Sequence, residues 1–527
     1  MTALDDRPLS DLRDFGYDQQ LERKVGTFAS FAVGFSFVSI LTTVFQLFGL
    51  GFGFGGPAFF WTWPAVFAGQ LLVALCFAEL AARYPLSGAI YQWSRRLGGA
   101  VLGWFAGWTM IIAQVVTLAA AAIALQVVLP VVWTGFQLLG GDPALNTVSG
   151  ASNAVLLGVI LLAVTTALNA ASIRMTAIAS SVGVVCELVG VALVVALLFT
   201  HAERGPGVVL HTTNLDASTG YFGPLLVSSL MAAYVLVGFD SAGELSEETH
   251  RPRRTAPRTI LRAVAVSGVG GALLILAALM AAPSVTDGNL ASQGLPYVLT
   301  SRLGTVPGKL LLLDVAIAIF VCTLAIQTSA SRMIFSMARD RVLPCSGLLG
   351  AVSKRTSTPV APTVVAGVLA AALLMVNIGN PALFLALTSV CIMLMYLAYL
   401  MVTVPMLVAR LRGRLTTDAS DETGRPLFSL GRWGVLVNAV AVLYGLGMAI
   451  NLGWPRAEVF DPEGGHWYLQ WLGPIALGVT LLLGLLAYAV QRRDYHAAVG
   501  SAPPLDPAGR IALAGAGAGA GVAAEEA

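Results

Sequence analysis

Residues 221–249 read YFGPLLVSSLMAAYVLVGFDSAGELSEET, and this stretch decides the fold. An apolar run begins at Tyr221 and is long enough to enter a bilayer, but it meets Gly238 and the charged Asp240 before its polar end. Glycine weakens a helix, and irregular backbone at membrane depth survives only where it is packed in protein or lines a cavity. The stretch therefore predicts an interrupted membrane helix with a candidate site at the interruption.

An ordinary helix is the alternative for the same stretch. In that interpretation the polar end of the helix begins at Asp240, and Gly238 is only a packing site. The carboxylates that follow would then pair with the adjacent basic segment, namely Glu244, Glu247 and Glu248 with Arg251, Arg253 and Arg254.

The composition indicates that most of the chain lies in lipid. Hydrophobic residues make up 57% of the 527 positions and charged residues only 11%, whereas about 25% of a soluble domain is charged. The net charge of +2 argues against nucleic acid as a partner, and the five His and five Cys lack metal-ligand spacing. Nucleophile, zinc-protease and phosphate-loop motifs are also missing from the sequence. We therefore expect free thiols, no metal, no cofactor and no enzymatic reaction.

Apolar runs recur along the whole chain. A hydrocarbon core of about 30 Å needs about 20 helical residues. Twelve runs meet this length, at 28–50, 61–82, 101–129, 153–170, 177–199, 221–243, 260–282, 309–338, 361–378, 382–409, 433–453 and 470–491. The sequence thus predicts an all-α integral membrane protein. We divide it into an N-terminal segment (1–25), a core (26–410), a loop (411–432), two last and peripheral helices (433–491) and a disordered tail (492–527).

The basic residues of the loops predict the orientation. Cytoplasmic loops carry the excess of Lys and Arg. With the N-terminus inside, the inner segments hold 26 of the 30 basic residues, and the outer loops hold only Arg204, Arg302, Lys309 and Arg456. This asymmetry predicts that both termini, the 411–432 loop and the tail are cytoplasmic. We expect the membrane to be a plasma membrane. Arginine exceeds lysine by 27 to 3, which is typical of GC-rich bacterial genomes.

The first span contains a second, weaker interruption. Residues 31–57 read FAVGFSFVSILTTVFQLFGLGFGFGGP, with Ser36, Ser39, Thr42 and Thr43 near mid-membrane. Hydroxyl groups there can bend a helix or bind an ion or substrate, although they are also common at helix contacts. Interruptions in spans 1 and 6 are five spans apart, as in an inverted repeat with its site between the halves. Half-helix N–H groups attract an anion and freed carbonyls attract a cation, which favours an amino acid or amine over a sugar.

Polar residues inside the spans are further candidates. Glu187 is the only charge in the fifth span and could carry a proton, or it could be a protonated structural glutamate bonded to a neighbouring helix. Gln114 in the third span and Thr328 in the eighth could face the centre, or they could bond between helices. Glu79 is expected to pair with Arg83 at a helix end. For Asp314, we favour a carboxylate at the start of a helix.

Four motifs resemble one family of transporters. They are GFDSAGELSEETHRPRRTAP (238–257), CFAELAARYPLSGAIYQWS (76–94), SASRMIFSMARDRVLP (329–344) and GWFAGWTMIIAQ (103–114). In this order they resemble the amino acid–polyamine–organocation superfamily, especially its amino acid/choline branch with the GABA and choline permeases. The resemblance implies a LeuT-like fold of five-plus-five inverted repeats, with helices 1 and 6 discontinuous, two extra helices and a proton-coupled amine or amino acid substrate.

The resemblance also implies roles for particular residues. Backbone N–H groups at Ser39, Ile40, Leu41, Thr42 and Thr43 would hold a carboxylate. Carbonyls at Gly238, Phe239 and Asp240 would take an amino group, with Phe239 closing over the substrate. The sequence departs from the family at Thr43, where glycine is usual, and the fifth-helix lysine of some relatives has only Glu187 as a loose substitute.

Three functions follow as hypotheses from these features. The first is alternating-access transport of an amino acid or GABA-like solute, driven by protons. The second is uptake of choline or a polyamine, in which Asp240 would face the cation. The third is a membrane sensor or scaffold that binds the solute without moving it. The sequence assigns no oligomeric state.

Overall fold

The computed structural model describes residues 10–13, 15–212, 220–286, 288–376, 378, 383–415, 424–460 and 466–500. Within these ranges the chain is almost entirely helical, and an isolated β-bridge joins Val25 and Thr249. Residues 501–527 of the predicted tail lie outside the described ranges. Residues 492–500 continue the last helix, so the tail begins later than predicted. The segment up to Gly500 contains no proline that would end the helix.

Sixteen helices are numbered here in chain order. They are α1 (Thr27–Val38), α2 (Ile40–Gly55), α3 (Thr62–Arg83), α4 (Ala89–Gly98), α5 (Ala100–Val132), α6 (Val148–Ala171), α7 (Ile173–Thr200), α8 (Phe222–Val235), α9 (Ser241–Glu244), α10 (Pro252–Ala281), α11 (Asn289–Leu303), α12 (Thr305–Arg339), α13 (Val360–Met375), α14 (Leu383–Leu411), α15 (Gly434–Gly453) and α16 (Leu472–Gly500).

Twelve crossings can be traced through these helices. Nine apolar stretches of the described chain are long enough to span a bilayer. The first of them, Thr27–Arg83, contains two crossings, and two shorter apolar helices, Phe222–Val235 and Val360–Met375, supply the others. The predicted all-α class with about twelve membrane helices is confirmed, and so are the discontinuous first and sixth helices.

Two helices and one boundary differ from the sequence predictions. The short helix α4 and the kinked helix α11 lie in stretches that were predicted as loops. Helix α10 begins at Pro252, eight residues before the predicted start of the seventh span at residue 260. Proline suits the first position of a helix, because the N–H that it lacks would be unpaired there. A hydropathy criterion excludes the arginine-rich first turns of α10, although they are helical.

Corresponding helices of the two predicted repeats pack closely on one another. Helix α3 packs along α10, and α2 packs along α8. At the first contact, the Trp63 indole N–H donates to the Gly268 carbonyl at 2.7 Å. A side chain at Gly271 would overlap the Trp63 ring. Small residues that let helices approach are what hold a bundle together in lipid.

The last two helices have large lipid-facing surfaces. Leu443 of α15 is 69% exposed and Leu482 of α16 is 57% exposed. Helix α15 packs on α3 and α14, and α16 packs on α5 and α14. That these two helices are peripheral to the first ten crossings stays a prediction.

Candidate functional site at the two helix interruptions

The first interruption is a single residue. Ser39 separates α1 from α2 and has φ +35° and ψ 92°, outside the helical region. Its amide still donates to the Phe35 carbonyl at 2.8 Å, and its hydroxyl accepts from the Thr42 amide at 3.4 Å. A positive φ is strained for a residue with a side chain, and such residues cluster at functional sites. The interruption exposes the N-terminal N–H groups of α2 inside the bundle.

Glu187 of α7 occupies those N–H groups. Its Oε1 accepts from the Leu41 amide at 3.2 Å and from the Ser39 hydroxyl at 2.9 Å. The side chain is buried, and Oε2 has no hydrogen-bond partner in the described part of the protein. A carboxylate is stabilised at a helix N-terminus by the unpaired N–H groups and the helix dipole. Glu187 therefore lies at the position where the resemblance implies that a substrate carboxylate would bind.

Thr43 closes the other side of this interruption. Its hydroxyl donates to the Ser39 carbonyl at 2.7 Å and lies 3.2 Å from the Val38 carbonyl. A glycine at this position would leave both carbonyl groups without that donor. The departure from the family at Thr43 thus changes the hydrogen bonding of the site as well as its volume.

The second interruption separates α8 from α9. Helix α8 ends at Val235, and α9 begins at Ser241. Between them Gly238 has φ +90°, a conformation that favours glycine. The ordinary-helix alternative for this stretch is therefore wrong. The helix breaks for a local reason, because a residue with a φ of +90° cannot continue a right-handed helix.

The two interruptions are in contact. A side chain at Gly238 would overlap the Phe37 ring of α1, which explains why only glycine fits. One turn further along each helix, a Cβ atom at Gly34 would lie 3.3 Å from the Ala242 Cβ. The first and sixth crossings therefore approach each other closely beside both interruptions.

Tyr399 of α14 connects the parts of the second interruption. Its phenol oxygen accepts from the Gly238 amide at 2.9 Å, and its hydroxyl donates to Asp240 Oδ1. Asp240 is fully buried, and its Oδ2 has no partner among the described residues. Sequence reasoning missed Tyr399, because one tyrosine in an apolar tenth span gives no signal of its own.

Aromatic rings surround Asp240. Phe239 is fully buried and packs against Phe77 of α3, with ring centroids 5.8 Å apart. Tyr399 lies 5.4 Å from Phe239 and 4.9 Å from Phe77 between ring centroids. In this conformation Phe239 is held in an aromatic cluster rather than over an open pocket.

Gln114 and Thr328 lie in contacts between helices. The Gln114 amide donates to the Ser329 hydroxyl at 2.9 Å and joins α5 to α12. The Thr328 hydroxyl donates to Asn169 Oδ1 at 2.7 Å and joins α12 to α6. These contacts are of the interhelical kind that the sequence left open as the alternative for both residues.

Asp314 does not begin a helix. Helix α12 starts at Thr305, so Asp314 lies in its third turn. A side chain at Gly190 would overlap the Asp314 carboxyl group, which places Asp314 one turn from Glu187 on the facing helix α7. The preference for a helix-start carboxylate is wrong, because the hydropathy boundary fell inside the helix.

One end of the bundle is rich in arginine and is called the arginine-rich end here. Glu247 Oε2 pairs with Arg339 at 2.8 Å, and Glu248 Oε1 pairs with Arg332 at 2.9 Å. The alternative that paired these carboxylates with Arg251, Arg253 and Arg254 is wrong, because the chain turns after α9 so that the carboxylates face α12. The predicted pair Glu79–Arg83 is confirmed at 3.0 Å, and Arg410 also contacts Glu79.

The N-terminal segment covers the arginine-rich end. Tyr17 donates to Asp340 Oδ1 at 2.9 Å, and the Arg339 guanidinium lies 4.1 Å from the centre of its ring. Burial and the charge of Asp340 raise the pKa of Tyr17, so the phenol stays a neutral donor. The Val25 amide donates to the Glu248 carbonyl at 2.9 Å. Residues 15–25 thereby contact the turn after α9, the end of α12 and, through Phe15 and Arg253, the start of α10.

Comparisons with known proteins identify the family of the chain. A family model described as amino acid permease matches residues 25–479. Amino-acid permease BAT1 of Arabidopsis thaliana is 26% identical over 477 residues, covering 86% of this chain and 89% of that protein. The BAT1 homolog of Oryza sativa subsp. japonica is 27% identical over 506 residues, covering 92% and 94%.

A fungal relative extends the comparison. Amino-acid permease 2 of Neurospora crassa is 24% identical over 498 residues, covering 92% of this chain and 88% of that protein. These relatives are plant and fungal proteins, so they do not support the bacterial origin that the arginine excess indicated. They are named as permeases, which indicates a transporter rather than an enzyme. The chain belongs to the amino acid permease family.

Proposed function

We propose that this amino acid transporter moves a small amino acid or a GABA-like amine across the plasma membrane by alternating access, with protons as the coupling ion. The observation that carries the proposal is the contact between the two interruptions, where Gly238 packs on Phe37. Helix ends in the interior of a bundle supply N–H groups for an anion and oxygen atoms for a cation, and an amino acid has both charges.

The substrate's carboxylate would bind at the N-terminus of α2. The Leu41 amide and the Ser39 hydroxyl already hold a carboxylate there, that of Glu187. The amino group would lie toward the second interruption, where Asp240 has one oxygen without a partner among the described residues. Separate sites for the two charges favour a zwitterion.

Glu187 is proposed as the proton carrier. When Glu187 is ionised, its charge occupies the end of α2 and repels a second carboxylate. Protonation would remove that charge and free the N–H groups for the substrate. A purely structural, protonated glutamate would donate its proton to an acceptor, and Oε2 has none in the described part of the chain. This supports the proton role over the structural alternative.

Uptake of choline or a polyamine is the second candidate. Asp240 lies beside Phe239, Tyr399 and Phe77, and aromatic faces with a carboxylate suit an organic cation. Such a substrate has no carboxylate, so Glu187 would keep its hydrogen bonds at the N-terminus of α2. A cation without a carboxylate would then be carried as well as an amino acid, or better.

Flux into proteoliposomes tests the function. Labelled amino acids, GABA, choline and polyamines are offered in turn, with an imposed pH gradient and with the gradient collapsed. We expect saturable, gradient-dependent accumulation of a zwitterion. Choline accumulation alone would favour the second candidate, and binding without flux of any solute would leave only the sensor or scaffold hypothesis.

Glu187→Gln tests the proton role in the same assay. The variant keeps the amide-to-oxygen bond at Leu41 but cannot carry a charge. We expect exchange of substrate to persist while gradient-driven accumulation is lost. Glu458→Gln, which changes an exposed carboxylate far along the chain, is the matched control. Full proton-driven accumulation by Glu187→Gln would reject the assignment.

We also propose that the arginine-rich end faces the cytoplasm, with both termini on that side. The sign of the loop charges supports this orientation. The N-terminal segment would then close the cytoplasmic side of the site in the conformation described here.

A further inference from the structure

Asp314 of α12 lies against α7, the helix that carries Glu187. A Cβ atom at Gly190 of α7 would overlap Asp314 Oδ2 and would lie 3.3 Å from Leu41 Cδ1. The Asp314 carboxyl group therefore occupies the space that a side chain at position 190 would fill. Glycine at this position lets the carboxyl group reach α7. The transport mechanism proposed above does not use Asp314.

Asp314 and Glu187 lie close together. Gly190 and Glu187 are three residues apart on α7, and such positions have Cβ atoms about 5–6 Å apart. The Leu41 side chain packs at the Gly190 position, and the Leu41 amide donates to Glu187 Oε1 at 3.2 Å. The charge of Asp314 is near enough to act on Glu187. The two carboxyl groups thus form a pair between α7, α12 and the start of α2.

Each carboxyl group of the pair has a buried oxygen that lacks a hydrogen bond. These atoms are Asp314 Oδ2 and Glu187 Oε2, and neither has a partner among the described residues. Buried polar atoms are nearly always paired. One proton between the two oxygens would satisfy both, because a protonated carboxyl group donates and an ionised one accepts.

The surroundings of the two groups differ. Glu187 Oε1 accepts from the Leu41 amide and the Ser39 hydroxyl, and these donors at a helix N-terminus stabilise a negative charge. Asp314 is only partly buried, and its neighbours Leu313 and Ile317 are exposed on the lipid-facing side of α12. A charged carboxyl group beside lipid is costly, whereas a neutral one costs far less. In this conformation the arrangement favours the proton on Asp314 and the charge on Glu187.

Few other titratable groups surround the pair. Helices α1, α2, α5, α6 and α13 pack on α12 and contain no Asp, Glu, His, Lys, Arg, Cys or Tyr. The charges of α4, α9 and the first turns of α10 lie at the arginine-rich end. The remaining titratable residues on α7, on α11 and on α12 as far as residue 322 are Arg174, Cys186, Tyr297, Arg302, Lys309 and Cys322. Arg302 pairs with Glu203, and Lys309 lies five residues before Asp314, on another side of α12. None of these groups is a carboxylate, so the two acids of the pair have only each other among these described helices.

We propose that Asp314 and Glu187 share one proton, and that Asp314 receives it from the outer side of the membrane. Asp314 lies in the third turn of α12, far from the arginine-rich end of that helix. Transfer breaks the O–H bond at Asp314 Oδ2, forms one at Glu187 Oε2 and moves the negative charge to Asp314. The N–H groups of α2 are then free for the substrate's carboxylate. Chains of carboxyl groups relay protons in membrane transporters. The relay rests on the proton role proposed above for Glu187.

Infrared difference spectroscopy of the purified full-length protein in lipid measures the shared proton without transport. A protonated carboxyl group has a C=O band that an ionised group lacks. Wild-type spectra at neutral pH are compared with those of Asp314→Asn, Glu187→Gln and the double variant. We expect Asp314→Asn to remove one such band and the double variant to remove no more. Glu187→Gln should shift that band, because the proton on Asp314 loses its acceptor.

Three spectra would overturn the shared proton. One is an unchanged spectrum of Asp314→Asn, which would show that Asp314 is ionised. Another is the loss of two bands in the double variant, which would show that each acid holds its own proton. The third is a band that Glu187→Gln leaves in place, which would show that the two groups are not in contact. Asp142→Asn, an exposed carboxylate in the loop before α6, is the matched control and should leave the band unchanged.

A second variant tests the same contact and keeps both acids. Gly190→Ala adds a methyl group where Asp314 Oδ2 lies, so it moves the carboxyl group away from α7. We expect it to shift the same band. Gly447→Ala, where an added Cβ meets no atom within 4 Å, should not. An unchanged band in Gly190→Ala would also overturn the proposal.

Transport assays separate the relay from the proposed function. In proteoliposomes we expect gradient-driven accumulation by Asp314→Asn to fall to the level of Glu187→Gln, while exchange of substrate persists. Full accumulation by Asp314→Asn together with its loss in Glu187→Gln would overturn the relay and leave the proposed function in place. Wild-type accumulation that does not depend on the pH gradient would overturn both, and the spectra would still decide whether the proton is shared.

Discussion

One tyrosine hydroxyl satisfies two buried polar groups at the second interruption. Tyr399 accepts from the Gly238 amide at 2.9 Å and donates to Asp240. A buried polar group that loses its partner costs about 1–3 kcal/mol. The irregular backbone of residues 236–240 is therefore held by a side chain from the tenth crossing.

Tyr399→Phe is expected to weaken both the site and the fold. The variant leaves the Gly238 amide and Asp240 without their partner, so we expect substrate affinity to fall about tenfold and the unfolding free energy to fall by about 1–3 kcal/mol. Concentration-dependent uptake and thermal denaturation measure the two effects. Tyr396→Phe is the matched control, because its hydroxyl bonds to the Tyr444 hydroxyl at 2.9 Å and not to the interruption. Equal substrate affinity in the two variants would contradict the role of Tyr399.

Gly238→Ala is expected to abolish transport. The added methyl group would overlap Phe37, and alanine is strained at φ +90°. Together the overlap and the strain should cost at least about 2 kcal/mol. The variant is compared with Gly447→Ala in α15, where an added Cβ meets no atom within 4 Å. Uptake by the Gly238→Ala variant at the wild-type rate would show that the close approach of the interruptions is not needed.

At the scale of elements, ion pairs join the turn after α9 (Ser246–Glu248) to α12 at the arginine-rich end. Arg332 and Glu248 are both buried and lie 2.9 Å apart between Nη2 and Oε1. In the alternating access that we propose, the end that is closed in one state opens in another, so these pairs would then have to break. The N-terminal segment adds bonds beside these pairs, from Tyr17 to Asp340 just after α12 and from the Val25 amide to the Glu248 carbonyl.

Arg332→Gln is expected to destabilise the protein more than the paired double variant does. The single change leaves Glu248 buried without its cation, which costs about 3–5 kcal/mol. Arg332→Gln with Glu248→Gln removes both charges, and we expect it to regain most of that loss. Thermal denaturation of Arg332→Gln, of Glu248→Gln and of the double variant completes the double-mutant cycle. Additive losses would contradict a direct pair.

At the scale of the whole molecule, the orientation can be tested with a native thiol. Cys345 is exposed in the loop after α12, whereas Cys76, Cys322 and Cys391 are buried. We expect a membrane-impermeant maleimide to label Cys345 in inside-out vesicles and not in intact cells. Cys345→Ser should remove this labelling.

A cysteine introduced on the opposite side of the membrane completes the labelling experiment. Ser292 is exposed in α11, at the other side of the membrane in the proposed orientation. Ser292→Cys in the Cys345→Ser background should be labelled in intact cells. Labelling of Cys345 from outside would reverse the proposed orientation.

The helices and the interruption at Gly238 could be predicted from the sequence, and the contacts between helices could not. Hydropathy over about 20 residues is a local property, and a glycine next to Asp240 marks a weak point in one segment. Gln114 and Thr328 show the limit of this reasoning. A polar residue in an apolar span indicates that a partner exists, but the direction in which it points depends on how the helices are packed.

The sequence by itself determined the twelve crossings, their charge asymmetry, the positions of the two interruptions and the family, because these depend on short stretches of residues. Only the tertiary structure decided the partners. Tyr399 is 159 positions from Asp240, and Glu187 is 148 positions from Ser39. The turn after α9 likewise directed Glu247 and Glu248 to α12 and not to the nearby arginines. Contacts over such separations depend on the packing of whole helices, which no local pattern encodes.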